Sequence, residues 1–167
     1  TYNYVDQTWS IGQLERTAWL DEGIVSFPRA AGKSSSTNYI YQHETGNDND
    51  GSPMDNVFIE SADFDIGDGE DFQFIKRMIP DVKFTGNGGS DQQINVVLKQ
   101  RNYPGNSLTT DQTTSFTATT SKIDMRARAR QAALRFESDD DANNLIRLGV
   151  GFRVGGTRLD IKPNGRR

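Results

Sequence analysis

The chain of 167 residues carries no cysteine, 34% hydrophobic residues, 16 glycines and a formal net charge of −4. That length supports one ordinary domain, or one domain with part of another, and the missing cysteines exclude a disulfide framework, a thiolate nucleophile and cysteine-ligated zinc or iron–sulfur sites. No apolar run reaches the length of a bilayer-spanning helix, the polar start Tyr2-Asn3-Tyr4-Val5-Asp6 lacks the order of a signal peptide, and the absence of an initiating Met is read as a fragment or processed product.

From the start, Tyr2–Trp9 reads as a strand closed by the turn Ser10-Ile11-Gly12, and Thr17–Asp21 and Ile24–Phe27 read as further short β pieces. These pieces have few obvious partners among themselves, so residues 1–30 are expected to be strands of an upstream or accessory β region. The small polar run 29–38 is the best linker or exposed loop, with the linker placed at 31–38 and a β-sandwich domain over 39–167. Tyr39–His43 alternates as a strand, and 46–53 is a concentrated turn. Val57–Ile66 is expected as one long strand with Phe58, Glu60, Ala62, Phe64 and Ile66 on one face.

After a turn at 67–71, Phe72–Ile79 leads through Pro80, which removes a ladder donor and marks a strand boundary, into Asp81–Phe84. A loop at 85–91, a strand at Ile94–Gln100, a polar connection at 102–112 and a Thr/Ser-rich strand at 113–119 follow. Ile123–Glu137 then supplies two strand segments, 138–144 a turn, and Leu145–Val154 and Thr157–Ile161 the last strands. No long amphipathic helix occurs, and the short spacing of turn signals predicts an all-β fold, an antiparallel β-sandwich of jelly-roll-like type.

Within 121–136 the arginines alternate at a period of two, so Arg126, Arg128 and Arg130 leave one face of a strand while Met125, Ala127 and Ala129 leave the other. Such a cationic face is a solvated surface that discourages edge pairing, a contact for a subunit or acidic partner, or a nucleic-acid contact. Arg135 joins it only if a bulge shifts the register. Charge is also divided along the chain: residues 1–120 hold 8 basic and 17 acidic side chains, and residues 121–167 hold 11 and 6. Complementary patches of this kind are a basis for head-to-tail contact between copies.

The chemistry-bearing residues form no catalytic pattern. Asp48, Asp50 and Asp55, and Asp63, Asp65, Asp68, Glu70 and Asp71, cluster oxygen ligands, but EF-hand spacing fails at Pro53, Ile59, Asp68 and Phe74. His43 is the only histidine and no nucleophile elbow accompanies it. Gly149–Gly156 is glycine-rich but lacks the Lys-Ser/Thr of a phosphate loop and a following helix, so its glycines are expected to allow a bulge or tight packing. Tyr39, Tyr41, Phe58 and Tyr103 are able to stack on a sugar or base, or to pack at the core or its rim. The expectation is a non-enzyme with no catalytic residue, no metal ligand and no cofactor.

The segment Phe58–Phe84, which runs Asp63-Phe64-Asp65-Ile66-Gly67-Asp68-Gly69 into Arg77-Met78-Ile79-Pro80, the arginine strand, and the ending Arg153–Arg167 together resemble the C-terminal region of bacteriophage virion proteins. The nearest type is the tail nozzle or packaged-DNA stabilisation protein of short-tailed phages, and Tyr2–Leu20 resembles the closing strands of the propeller-like domain that precedes this region. The resemblance implies a β-sandwich on a larger tail subunit, assembled as a homo-oligomeric ring with other phage tail proteins, located in the virion after synthesis in the host cytoplasm, and without chemistry of its own. The chain is far shorter than a full nozzle protein, which leaves a C-terminal fragment or a small independent virion protein. Arg126, Arg128, Arg130 and Arg135 are the candidate subunit-contact face, with non-specific DNA contact as a further use of it. The alternative is a carbohydrate-binding β-sandwich module, calcium-assisted through the acidic loops; a hydrolase ranks last.

Overall fold

Period-two alternation with Val, Ile, Phe and Thr favours pleated, half-buried backbone, and turn residues cut it into short pieces. The computed structural model describes residues 1–12, 14–47, 57–86, 92–138 and 150–166, and among them there is no helix. The chain divides into two compact units, Thr1–Gly46 and Asn47–Arg167.

In the first unit, β1 (Tyr2–Asn3) pairs with β2 (Thr8–Trp9). Asn3 Oδ1 closes the intervening turn by accepting from the backbone N–H groups of Val5 and Asp6 at 3.0 and 3.2 Å. A second, three-stranded antiparallel sheet has the order β3 (Ala18–Leu20), β4 (Arg29–Ser34), β5 (Thr37–Gln42). The expected linker at 31–38 is therefore the heart of a β-hairpin, with Ser35 at φ 54° in its turn. One of its small residues, Gly32, is small because something lies on it. A Cβ at Gly32 would stand 2.6 Å from the Glu15 carbonyl oxygen. Tyr39–His43 consequently belongs with β4 and not with the sandwich, and the division falls after Gly46, not at 38. Ile24–Phe27 forms no strand.

The second unit is an antiparallel sandwich. One sheet has the order β11 (Thr109–Thr117), β10 (Gln93–Arg101), β13 (Gln131–Glu137), β6 (Phe58–Glu60), with β7 (Phe64–Asp65) also on β13. The other has the order β12 (Ile123–Ala129), β8 (Gln73–Ile79), β15 (Arg158–Pro163), and β9 (Val82–Gly86) pairs with β14 (Val150–Val154). Ile94, Val96, Leu98, Phe116, Ala132, Leu134 and Phe136 from the first sheet share one apolar cluster with Ile75, Met78, Ile123, Met125 and Ala127 from the second. Val82, Phe84, Phe152, Val154, Leu159 and Ile161 pack against it.

β12 buries odd-numbered residues (Ile123, Met125, Ala127, Ala129), whereas β13 buries Ala132, Leu134 and Phe136. The phase inverts at Arg130, where the chain leaves one sheet and enters the other. The long strand expected over 57–66 is interrupted, because Ser61 takes over the ladder: its N–H donates to the Leu134 carbonyl at 2.9 Å and its Oγ accepts from the Leu134 N–H at 3.0 Å. The Thr/Ser-rich strand starts at Thr109, inside the expected connection, and ends in a turn at 117–120. Pro80 separates β8 from β9. The expected turn at 48–53, the loop at 87–91, the connection at 139–144 and the strand start at 145–149 lie outside the described residues.

Leu98 is wholly buried at the middle of this core. Leu98→Ala is expected to destabilise the sandwich by about 3 kcal/mol, read by urea unfolding followed in the far-UV.

Candidate assembly interface

The outer surfaces of the two sheets differ in how they handle charge. On the β11-β10-β13-β6 sheet, the outward row carries Lys99, Arg101 and Arg135 with Glu60, Glu137, Asp63 and Asp65, and nearly every charge meets its opposite. Lys99 Nζ lies 2.7 Å from Glu60 Oε2, Arg135 pairs with Glu60 and Glu137, and Arg101 pairs with Asp63. Arg135 also lies over the Phe58 ring at 3.7 Å. Val97 and Ala133 point outward by register yet are only 5% and 0% exposed; the stems of their cross-strand neighbours Arg135 and Lys99 cover them.

Arg135 is thus not part of one face with the other three arginines. The inversion at Arg130 does turn it outward, but on the opposite sheet, within a self-neutralised network.

The β12-β8-β15 sheet presents Arg126, Arg128, Lys76, Arg77, Arg158 and Lys162 against Asp124 and Asp160, six basic groups to two acidic. An ion pair relieves it in part, Arg77 Nε to Asp160 Oδ2 at 3.2 Å. Lys76 stands at a register shift in β8, which pairs Asp160 with Arg77 and Ile161 with Ile75. Alternation in Arg158-Leu159-Asp160-Ile161-Lys162 carries the signal for the extra β15 cations, and only pairing to β8 reveals that they join Arg126 and Arg128.

The arginines themselves have separate tasks. Arg126 is exposed and makes no hydrogen bond, ion pair or ring contact among the described residues. Arg128 lies over the Phe72 ring at 3.8 Å and donates to the Asn164 carbonyl at 3.2 Å. Arg130, half-buried at the corner, donates to the carbonyls of Gly69 and Glu70 and to that of Arg166, and stands 4.7 Å from the same ring. Beside it the buried Gln73 donates to the carbonyls of Phe64 and Arg130 at 3.1 and 3.5 Å. Arg130 is a clamp on the 69–70 turn and the 164–166 segment, and Arg126 is the arginine of the four with no contact among the described residues.

The other candidates lie on other elements. His43 Nε2 accepts from Arg16 Nε at 3.2 Å, its ring lies 4.7 Å from Trp19, and Arg16 lies 3.7 Å over Tyr41. Tyr39 pairs with Tyr41 on β5, Phe58 lies under Arg135, and Tyr103 is exposed in the loop after β10. Asp63, Asp65 and Asp71 face Arg101, Gln131 and Arg166, three separate partners, and no group of three or more His, Asp or Glu is arranged for a metal among the described residues. Asp48, Asp50 and Asp55 lie outside the described residues. In the glycine-rich segment the Gly155 and Gly156 N–H groups donate to the Asp81 carbonyl and carboxylate at 2.7 and 2.9 Å, with Asp81 where a Gly155 Cβ would be.

No helix among the described residues is long and apolar enough to cross a membrane. A scan against protein-family models finds no match to the chain, and a search of curated proteins finds none either.

Lys99, which donates to the Glu60 carboxylate, holds its acid constant below the ordinary 4.5, with Arg135 adding to the effect and burial opposing it. The unfolded chain therefore takes up this proton first as pH falls. The stabilisation is complete above about pH 4.5 and is lost through the lower native value. Glu60→Gln is expected to cost about 1 kcal/mol at neutral pH, a gap that closes progressively below pH 4.5 in urea titrations. Arg130→Ala is expected to speed amide exchange at Phe72 and Asn164, whose N–H groups bond to the Gly165 and Phe72 carbonyls. Arg130→Lys restores it only in part, since one ammonium cannot span the same carbonyls.

Proposed function

We propose that the chain is a non-enzymatic structural module of a phage tail, a nozzle or head–tail stabilisation component, which assembles with copies of itself and with other tail proteins in the virion. The observation that carries this reading is the contrast between the two outer surfaces: one sheet pairs its own charges, and the other keeps a surplus of cations with Arg126 unengaged. Unneutralised charge of one sign on a flat sheet supports contact with an acidic surface, and the acidic balance of residues 1–120 gives a second copy such a surface. A contact between two different patches on identical copies generates a ring when the rotation closes. The resemblance of Phe58–Phe84, the arginine strand and Arg153–Arg167 to tail-nozzle C-terminal regions supports the same reading.

Arg126→Glu tests it, since the fold asks nothing of this side chain. Light scattering across a concentration series is expected to show a wild-type oligomer larger than a dimer that loses mass in high salt, and a variant that stays at that lower mass at low salt with an unchanged far-UV spectrum. Assembly untouched by the charge reversal would overturn the proposal.

A further inference from the structure

We propose that the outer edge of β11 is a strand-pairing surface and that its occupant is β11 of a second copy, antiparallel, so that one sheet continues through two molecules. β11 is nine residues long and, among the described residues, pairs on one side only, with β10. Such an edge is a template for another strand unless something blocks it.

The other edges of the two larger sheets are blocked. β12 carries a register shift and outward arginines, and its Asp124 carbonyl is taken by Gln112 Nε2 at 3.2 Å. β6 and β7 are three and two residues long with a gap between them. β15 carries Arg158, Lys162 and a terminal Pro163. β11 holds Thr109, Thr110, Thr113, Thr114, Ser115 and Thr117, one charge at Asp111, and neither Lys nor Pro; its pairing with β10 shifts register at Asp111, so the regular edge is Gln112–Thr117.

Hydrogen bonds fix which residues face outward. The Thr117 N–H donates to Thr120 Oγ1, and the Thr117 carbonyl accepts from the Thr120 N–H, both at 3.1 Å, so Thr117 turns its main chain away from β10. Antiparallel pairs alternate, so Ser115 and Thr113 turn theirs away as well, and no described residue takes these groups. With Thr114 opposite Thr114 of the second copy, Thr113 faces Ser115 of that copy and Ser115 faces its Thr113. Each of these pairs exchanges both main-chain bonds, about four in all. The register sets Asp111 against Thr117, so no like charges meet, and the hydroxyl pairs stabilise the match. Hydrogen bonds and hydroxyls carry this contact, so it is insensitive to salt and separate from the one tested by Arg126→Glu.

The chain has no cysteine, so single substitutions report geometry cleanly. Facing residues of such a pair have Cα atoms about 5.5 Å apart, within disulfide range. Under mild oxidation in about 1 M salt, where the Debye length is about 3 Å, a mixture of Thr113→Cys and Ser115→Cys is expected to form the mixed dimer several-fold faster than either variant alone forms its own. Equal rates would overturn the proposal. Thr113→Pro removes an outward N–H and leaves the β10 ladder intact. Sedimentation at high salt is expected to show concentration-dependent dimer for the wild type and for Arg126→Glu, and monomer for Thr113→Pro with an unchanged far-UV spectrum. A wild-type monomer at all concentrations, or a Thr113→Pro variant that still dimerises, would equally sink it.

Discussion

The sandwich depends on one change of phase in its backbone. β12 and β13 are separated only by Arg130, yet they lie in different sheets and bury opposite parities. A strand pair joined by one residue cannot form a hairpin. It turns a corner, and the corner must satisfy the main-chain groups that neither ladder takes. The buried Gln73 amide donates to the Arg130 carbonyl, and the Arg130 guanidinium ties the corner to the carbonyls of Gly69, Glu70 and Arg166 and rests against Phe72. The two strands on either side then place Met125, Ala127, Leu134 and Phe136 in one apolar cluster.

The same corner explains why the arginines divide. Alternation commits Arg126 and Arg128 to one outer surface, the inversion commits Arg135 to the other, and Arg130 is consumed at the turn. On Arg135's side an acidic strand, β6, lies alongside and supplies Glu60; on the other, β8 and β15 supply mainly more cations. Neighbouring strands, not local sequence, decide whether a charge is neutralised or displayed.

Much of the sandwich was legible from alternation: Ile123–Ala129 carries a strict period of two, and Ile94–Gln100 and Gln131–Glu137 follow it apart from the apolar runs Val96–Leu98 and Ala132–Leu134, the second of which reads as strand only through its neighbours. Composition failed where it stood in for packing. Residues 31–38 look like a linker because Gly and Ser have small side chains, but Gly32 is small so that the Glu15 backbone can approach it. The break at Ser61 was illegible for a related reason, since a hydroxyl that replaces a ladder carbonyl leaves alternation of Phe58, Glu60 and Phe64 undisturbed. The arginine face was visible on its strand but its extent was not, because Lys76, Arg77, Arg158 and Lys162 join it only through pairing between strands far apart in the chain.

Both tryptophans, Trp9 and Trp19, belong to Thr1–Gly46, and the sandwich has none. Trp9 sits against Tyr2, and Trp19 against His43. Indole emission is therefore a private signal of the smaller unit, blind to the sandwich. Circular dichroism is dominated by the long strands of the larger one. An unfolding curve from either probe alone describes one unit, and the interval between the two midpoints compares their stabilities.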